Sequence, residues 1–132
     1  TYFNTFGGNP VSCAVGLAVL DVIEREGLME NANTVGNYAR DGLRKLADRH
    51  DIIGDVRGPG LFFGAEMVRD RQTREPATEE TGTIINAMRE RGIIISRTGR
   101  ADNVLKIRPP MPFSKDNADF LLSALDDTLQ AM

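Results

Sequence analysis

The segment Thr5-Phe6-Gly7-Gly8-Asn9-Pro10 gathers a hydroxyl, two adjacent glycines and a helix-capping pair into six residues. A helix starting at Pro10 with Asn9 as its cap offers backbone N–H groups and the positive end of its dipole, which favours an anion. The glycines allow a ligand close to the backbone, and the Thr5 hydroxyl can donate to a phosphate oxygen. The same residues also make an ordinary turn and cap, so local physics leaves both readings open.

A second group lies on Val104-Leu105-Lys106-Ile107-Arg108. Period-two alternation puts Leu105 and Ile107 on one face of a strand and Lys106 and Arg108 on the other. On a solvated face the two cations do nothing further. Beside a cleft they would bind a carboxylate or a phosphate. A third group, Val56-Arg57-Gly58-Pro59-Gly60-Leu61-Phe62-Phe63-Gly64, reads as a turn between strands, with Arg57 structural rather than catalytic.

Cys13 is the one cysteine and His50 the one histidine, so no internal disulfide can form, a zinc site would need many carboxylates, no ligand spacing suggests one, and no metal is expected. Cys13, inside an apolar run, reads as a buried small hydrophobe. His50 reads as a helix C-terminal residue interacting with the dipole. The formal net charge of −3, with 6% aromatic residues and no Trp, argues against a nucleic-acid or anionic-membrane partner. The longest apolar run, Val11 to Leu20, is far shorter than a membrane span, and no targeting peptide is expected. A reducing, cytoplasmic setting is the expectation, and the start reads like the middle of something longer.

The elements that must position these groups follow from spacing. A helix from Pro10 stops at Gly27, and it is apolar on nearly every side, so it expects neighbours on nearly every side. A second helix spans about Met29 to Arg49, with Val35, Ala39, Leu43 and Leu46 inside and Arg40, Asp41, Arg44 and Lys45 outside. Strands are expected at 52–57 and 61–68, a polar loop at 70–76 and a helix at 78–91. Short strands at 93–96 and 104–108 precede a last helix capped by Ser114, with a stripe of Ala118, Leu121, Leu122, Leu125 and Leu129. The fold class is α+β: a small, mainly antiparallel sheet with helices packed on one face, preceded by a long connecting helix.

The three groups, in this order and spacing, with Asn103-Val104-Leu105-Lys106-Ile107-Arg108-Pro109-Pro110 as the third, resemble the C-terminal part of class III aminotransferases. That family includes ornithine, 4-aminobutyrate and alanine–glyoxylate transaminases and related lyases, all using pyridoxal 5'-phosphate. The resemblance implies a homodimer with the cofactor between a large domain and this small one, and a small amine or amino acid as substrate. It implies that residues 1–27 are a phosphate-loop segment and connecting helix from a missing large domain, and 28–132 the C-terminal small domain. Thr5 would donate its hydroxyl to the cofactor phosphate of the neighbouring subunit. The family's Schiff-base lysine lies upstream of residue 1, so no catalytic residue is expected within the chain, and the chain alone should be inactive. Lys106 and Arg108 are the candidate substrate-binding residues. The family commonly places a carboxylate-binding arginine where Lys106 stands, and a lysine there resembles the branch that eliminates phosphate from phosphorylated amines. Amino transfer is the first expectation and phospho-lyase activity the second. A rival of another class is a non-catalytic α+β module, which would be self-contained and polar on one side of its first helix.

Overall fold

The computed structural model describes residues 1, 3–5 and 7–132; Tyr2 and Phe6 lie outside the described residues. Four helices and five strands run in the order α1 (Pro10–Arg25), α2 (Leu28–Ala47), β1 (Ile53–Arg57), β2 (Phe63–Asp70), β3 (Glu75–Pro76), α3 (Thr78–Glu90), β4 (Ser96–Thr98), β5 (Val104–Ile107) and α4 (Lys115–Gln130). The sheet is antiparallel throughout, in the order β1-β2-β5-β4, with the short β3 paired to the far end of β2.

The core lies between one sheet face and α2, α3 and α4. Phe63, Ala65 and Met67 of β2 and Leu105 and Ile107 of β5 point into it. Val35, Ala39, Leu43 and Leu46 meet them from α2, Ile84 and Met88 from α3, and Ala118, Leu121, Leu125 and Leu129 from α4. Removing a leucine side chain of this kind from water is worth about 1.5–3 kcal/mol, so the strand and helix stripes specify each other. The α4 stripe is fixed at its start by a capping box: Ser114 Oγ accepts from the Asn117 N–H, and Asn117 Oδ1 accepts from the Ser114 N–H.

One close approach joins α2 to the turn between β1 and β2. A Cβ on Gly36 would lie 2.0 Å from the Gly60 carbonyl oxygen, so only glycine admits the turn. Arg40 then reaches that carbonyl with Nη1 at 2.8 Å and also bonds Asn37. Arg40 is therefore buried rather than outside the apolar stripe, because the turn folds over it and supplies the acceptor its charge needs.

Three further expectations change. The strand expected at 93–96 begins only at Ser96, since the Gly92 and Ile93 N–H groups bond back to Arg89 and Met88 and hold the chain on the end of α3. His50 meets Asp126 of α4, with Nε2 and Oδ1 2.6 Å apart, instead of serving the α2 dipole. That end is held by Arg71, which donates to the carbonyls of Ala47, His50, Asp51 and Ile53. Cys13 is exposed, not buried. Its helix explains why: α1 contacts α2 alone among the elements, and none of its residues is buried. The apolar side chains that expected neighbours, Val11, Val15, Leu17, Val19 and Leu20, stand exposed.

Candidate functional site

Strand register decides what shares the sheet face that no helix covers. Gly64 pairs with Arg57 on one side and Lys106 on the other, and Lys106 pairs with Ser96. Directly paired residues point to the same face, so Arg57, Gly64, Lys106 and Ser96 form one row across four strands. The neighbouring row holds Asp55, Glu66, Val104 and Thr98. On β5 Leu105 is fully buried and Ile107 nearly so, while on the other face Lys106 is half-buried, Val104 buried, and Arg108, just past the strand, exposed.

The two ends of that row differ electrostatically. Arg57 Nη1 lies 2.6 Å from both Asp55 Oδ2 and Glu66 Oε2, and these bonds, Asp55 first, hold its guanidinium above its usual value. The Lys106 side chain makes no hydrogen bond or ion pair with any described residue. Gly64 beside it offers no side chain, and a Cβ there would sit 2.7 Å from the Leu105 carbonyl oxygen. Arg108 makes no ion pair among the described residues; its guanidinium lies over the Phe62 ring, 5.7 Å from the centroid. Lys106 and Arg108 line one shallow depression together with Ile94, Ile95 and Ser96. The loop after Arg108 is pinned by Asn31, whose Nδ2 donates to the Met111 and Phe113 carbonyls at 2.8 and 3.0 Å. The structure thus brings the two sequence-derived cations together and adds Ser96, whose place beside Lys106 comes from the pairing of β4 with β5.

Thr5 lies on the exposed loop ahead of α1, and its hydroxyl has no partner among the described residues. Asn9 caps α1 as expected, with Oδ1 accepting from the Val11 and Ser12 N–H groups at 3.0 and 3.2 Å. Those two amides are therefore already satisfied, which removes much of the helix-terminus anion site expected from sequence. No lysine or arginine occurs before Arg25. The loop fits one hydroxyl contact to a phosphate, with Gly7 and Gly8 adding no bulk, and the remaining donors must come from elsewhere.

Among the described residues no group of His, Cys, Asp and Glu is arranged to hold a metal, and no helix is long and apolar enough to cross a membrane.

Comparison with known proteins fits this geometry. The family model described as aminotransferase class-III matches residues 2–129. The chain is 52% identical over its whole length to a relative from Arabidopsis thaliana, alanine–glyoxylate aminotransferase 2 homolog 2, mitochondrial, and spans 28% of that protein. It is 42% identical, over 99% of its length, to the Caenorhabditis elegans ethanolamine-phosphate phospho-lyase homolog 1, again spanning 28% of the relative. Among solved structures, a phospholyase from Arthrobacter in complex with phosphoethanolamine matches 99% of this chain with 48% identity and a TM-score of 0.94, over 31% of its own length. A PLP-bound amine transaminase from an uncultivated Pseudomonas species matches 99% with 32% identity and a TM-score of 0.87, over 30% of its length. The chain accordingly spans about 28% of the curated relatives it matches. One relative is mitochondrial by name, so a cytoplasmic location does not follow from the likeness.

Proposed function

This chain belongs to the class III aminotransferase family, and on that premise we propose that it is the C-terminal part of a pyridoxal-phosphate enzyme acting on an amine with an anionic end. The observation that carries this reading is the pair Lys106 and Arg108, two cations on one uncovered strand face with no carboxylate among the described residues neutralising either. Pyridoxal phosphate, when bound, supplies an electron sink for bonds broken next to the substrate nitrogen. Thr5 would donate its hydroxyl to the cofactor phosphate, across the boundary of a homodimer. Lys106 and Arg108 would hold the substrate's anionic end and so orient its amine. Residues 1–27 would belong with the large domain and 28–132 form the small domain. The Schiff-base lysine would lie in the remainder of the protein, leaving this chain inactive alone.

Release of phosphate from a phosphorylated amine is the reaction this geometry supports best. Lysine is a point charge without the fork that grips a carboxylate in two places, and two unneutralised cations match a dianion better than a monoanion. The likeness to a phospholyase holding phosphoethanolamine supports the same reading. Amino transfer to a 2-oxo acid is the second reading, favoured by the 52% identity to an alanine–glyoxylate aminotransferase homologue. The full-length enzyme with phosphoethanolamine and no 2-oxo acid distinguishes them. Stoichiometric inorganic phosphate is expected; turnover that requires a 2-oxo acid and leaves phosphate bound to its carbon would select amino transfer.

A further inference from the structure

We propose that Ser96 is a third member of the anion-binding group, and that its hydroxyl favours a phosphate over a carboxylate or a neutral end. This rests on the reading of Lys106 and Arg108 above. Ser96 is the direct cross-strand partner of Lys106, so the two side chains rise from the same face of adjacent strands. Ser96, Lys106 and Arg108 line one depression. Ser96 is exposed, and its hydroxyl has no partner among the described residues, so its donor is unspent. Of the groups on that sheet face, Gly64 across β5 has no side chain, Glu66 in the next row is taken by Arg57, and Asp102 faces Arg97.

The chemistry of the ligand makes the hydroxyl selective. A carboxylate presents two oxygens, which one lysine and one arginine can serve. A phosphate monoester presents three terminal oxygens, leaving acceptor capacity that two cations do not fill. A short side chain on a strand loses little freedom in meeting it. Ser96 should therefore matter for phosphate, little for carboxylate, and least for a neutral amine.

The test uses the full-length holoenzyme as wild type, Ser96→Ala, Ser96→Thr and Lys106→Ala. Inorganic phosphate binding is measured by calorimetry, with kcat/KM on phosphoethanolamine and on a neutral amine beside it. Loss of one bond to a charged oxygen predicts phosphate binding and phosphoethanolamine kcat/KM weaker by roughly tenfold in Ser96→Ala. Ser96→Thr should restore most of both, and Ser96→Ala should cost far less on the neutral amine than on phosphoethanolamine. Wild-type phosphate affinity in Ser96→Ala, with affinity lost in Lys106→Ala, would overturn the role of Ser96 and leave the cation reading standing. Unchanged affinity in Lys106→Ala would overturn both. An equal loss on the neutral amine would make Ser96 a structural residue and overturn the proposal.

Discussion

Arg57 and Lys106 stand in the same row of the same sheet face, separated by one strand that contributes only Gly64. That places their Cα atoms about 10 Å apart, two strand spacings. Arg57 is met by two carboxylates at 2.6 Å, while Lys106 is met by none. Composition cannot tell these cations apart, and neither can alternation, which assigns both to the outer face. What separates them is the neighbouring row, where Asp55 and Glu66 sit beside Arg57 and Val104 and Thr98 sit toward the other edge. A cation whose register partners neutralise it stabilises the sheet. One left without partners, half out of water, is poised for an anion that the chain does not supply.

The sharpest break of this comparison is Lys106→Ala in the full-length enzyme. A charge-assisted contact is worth about 1.5–3 kcal/mol, so kcat/KM on an anionic substrate should fall by roughly tenfold to a hundredfold. The melting temperature should hardly move, because the Lys106 side chain makes no hydrogen bond or ion pair with a described residue. A lowered melting temperature with unchanged kinetics would reverse the assignment and make Lys106 the structural cation.

Thr5→Ala extends the same rule to a neutral donor without a partner. Removing one hydroxyl contact to a phosphate should weaken cofactor affinity by about tenfold, read by fluorimetric titration of the apoenzyme. Asn9 already satisfies the first amides of α1, so the variant should keep its helix start and its circular dichroism. Unchanged affinity would return Thr5 to an ordinary turn residue.

Arg57→Ala is the counterpart with a smaller effect. Its pairs are half-exposed, and such pairs contribute about 0–1 kcal/mol, so a shift of a few degrees or less in melting temperature is expected. Anionic-substrate kinetics should match wild type within about twofold, on the same energy scale. A tenfold kinetic loss would mean that Arg57 also faces the substrate, and the contrast with Lys106 would collapse.

The contrast also shows where sequence reading succeeds. Element types and order were legible because Leu43, Leu105, Leu121 and their neighbours repeat at helix and strand periods that burial enforces. Lys106 and Arg108 were legible as a pair for the same reason. Ser96 was not, because its place beside Lys106 comes from the pairing of β4 with β5, and the three consecutive isoleucines at 93–95 carry a strand composition although β4 begins only at Ser96. Arg40 and the partners of Arg57 were hidden because both depend on tertiary register: a turn arriving over Gly36, and β1 pairing with β2 across a bulge between Ile53 and Asp55. Cys13 was misread because apolarity announces a need for burial without saying what provides it.

The smallest predicted effect tests whether partner count also identifies structural charges on the helix side. Asp126 of α4 is held by His50 at 2.6 Å and by Arg49 at 2.9 Å, tying the end of α2 to α4. These bonds, His50 first, hold its carboxyl below the usual aspartate value, against the opposing push of partial burial. A carboxylate whose folded value is depressed contributes stability that is complete above its unfolded value, about 3.9, and lost as pH falls toward the folded one. Asp126→Asn should therefore lower the urea midpoint at pH 5, and the gap from wild type should narrow as pH approaches 3. Asp70 and Glu80 are depressed as well, by Thr73 and Arg69, so they too lose their contribution in acid. Both proteins carry those two groups, so their acid loss cancels in the difference and what remains belongs to Asp126. A gap that stays constant into acid would mean that the ionised carboxylate is not what His50 and Arg49 hold. A gap that narrows would place Asp126 with Arg57, among the charges whose partners are already in the chain.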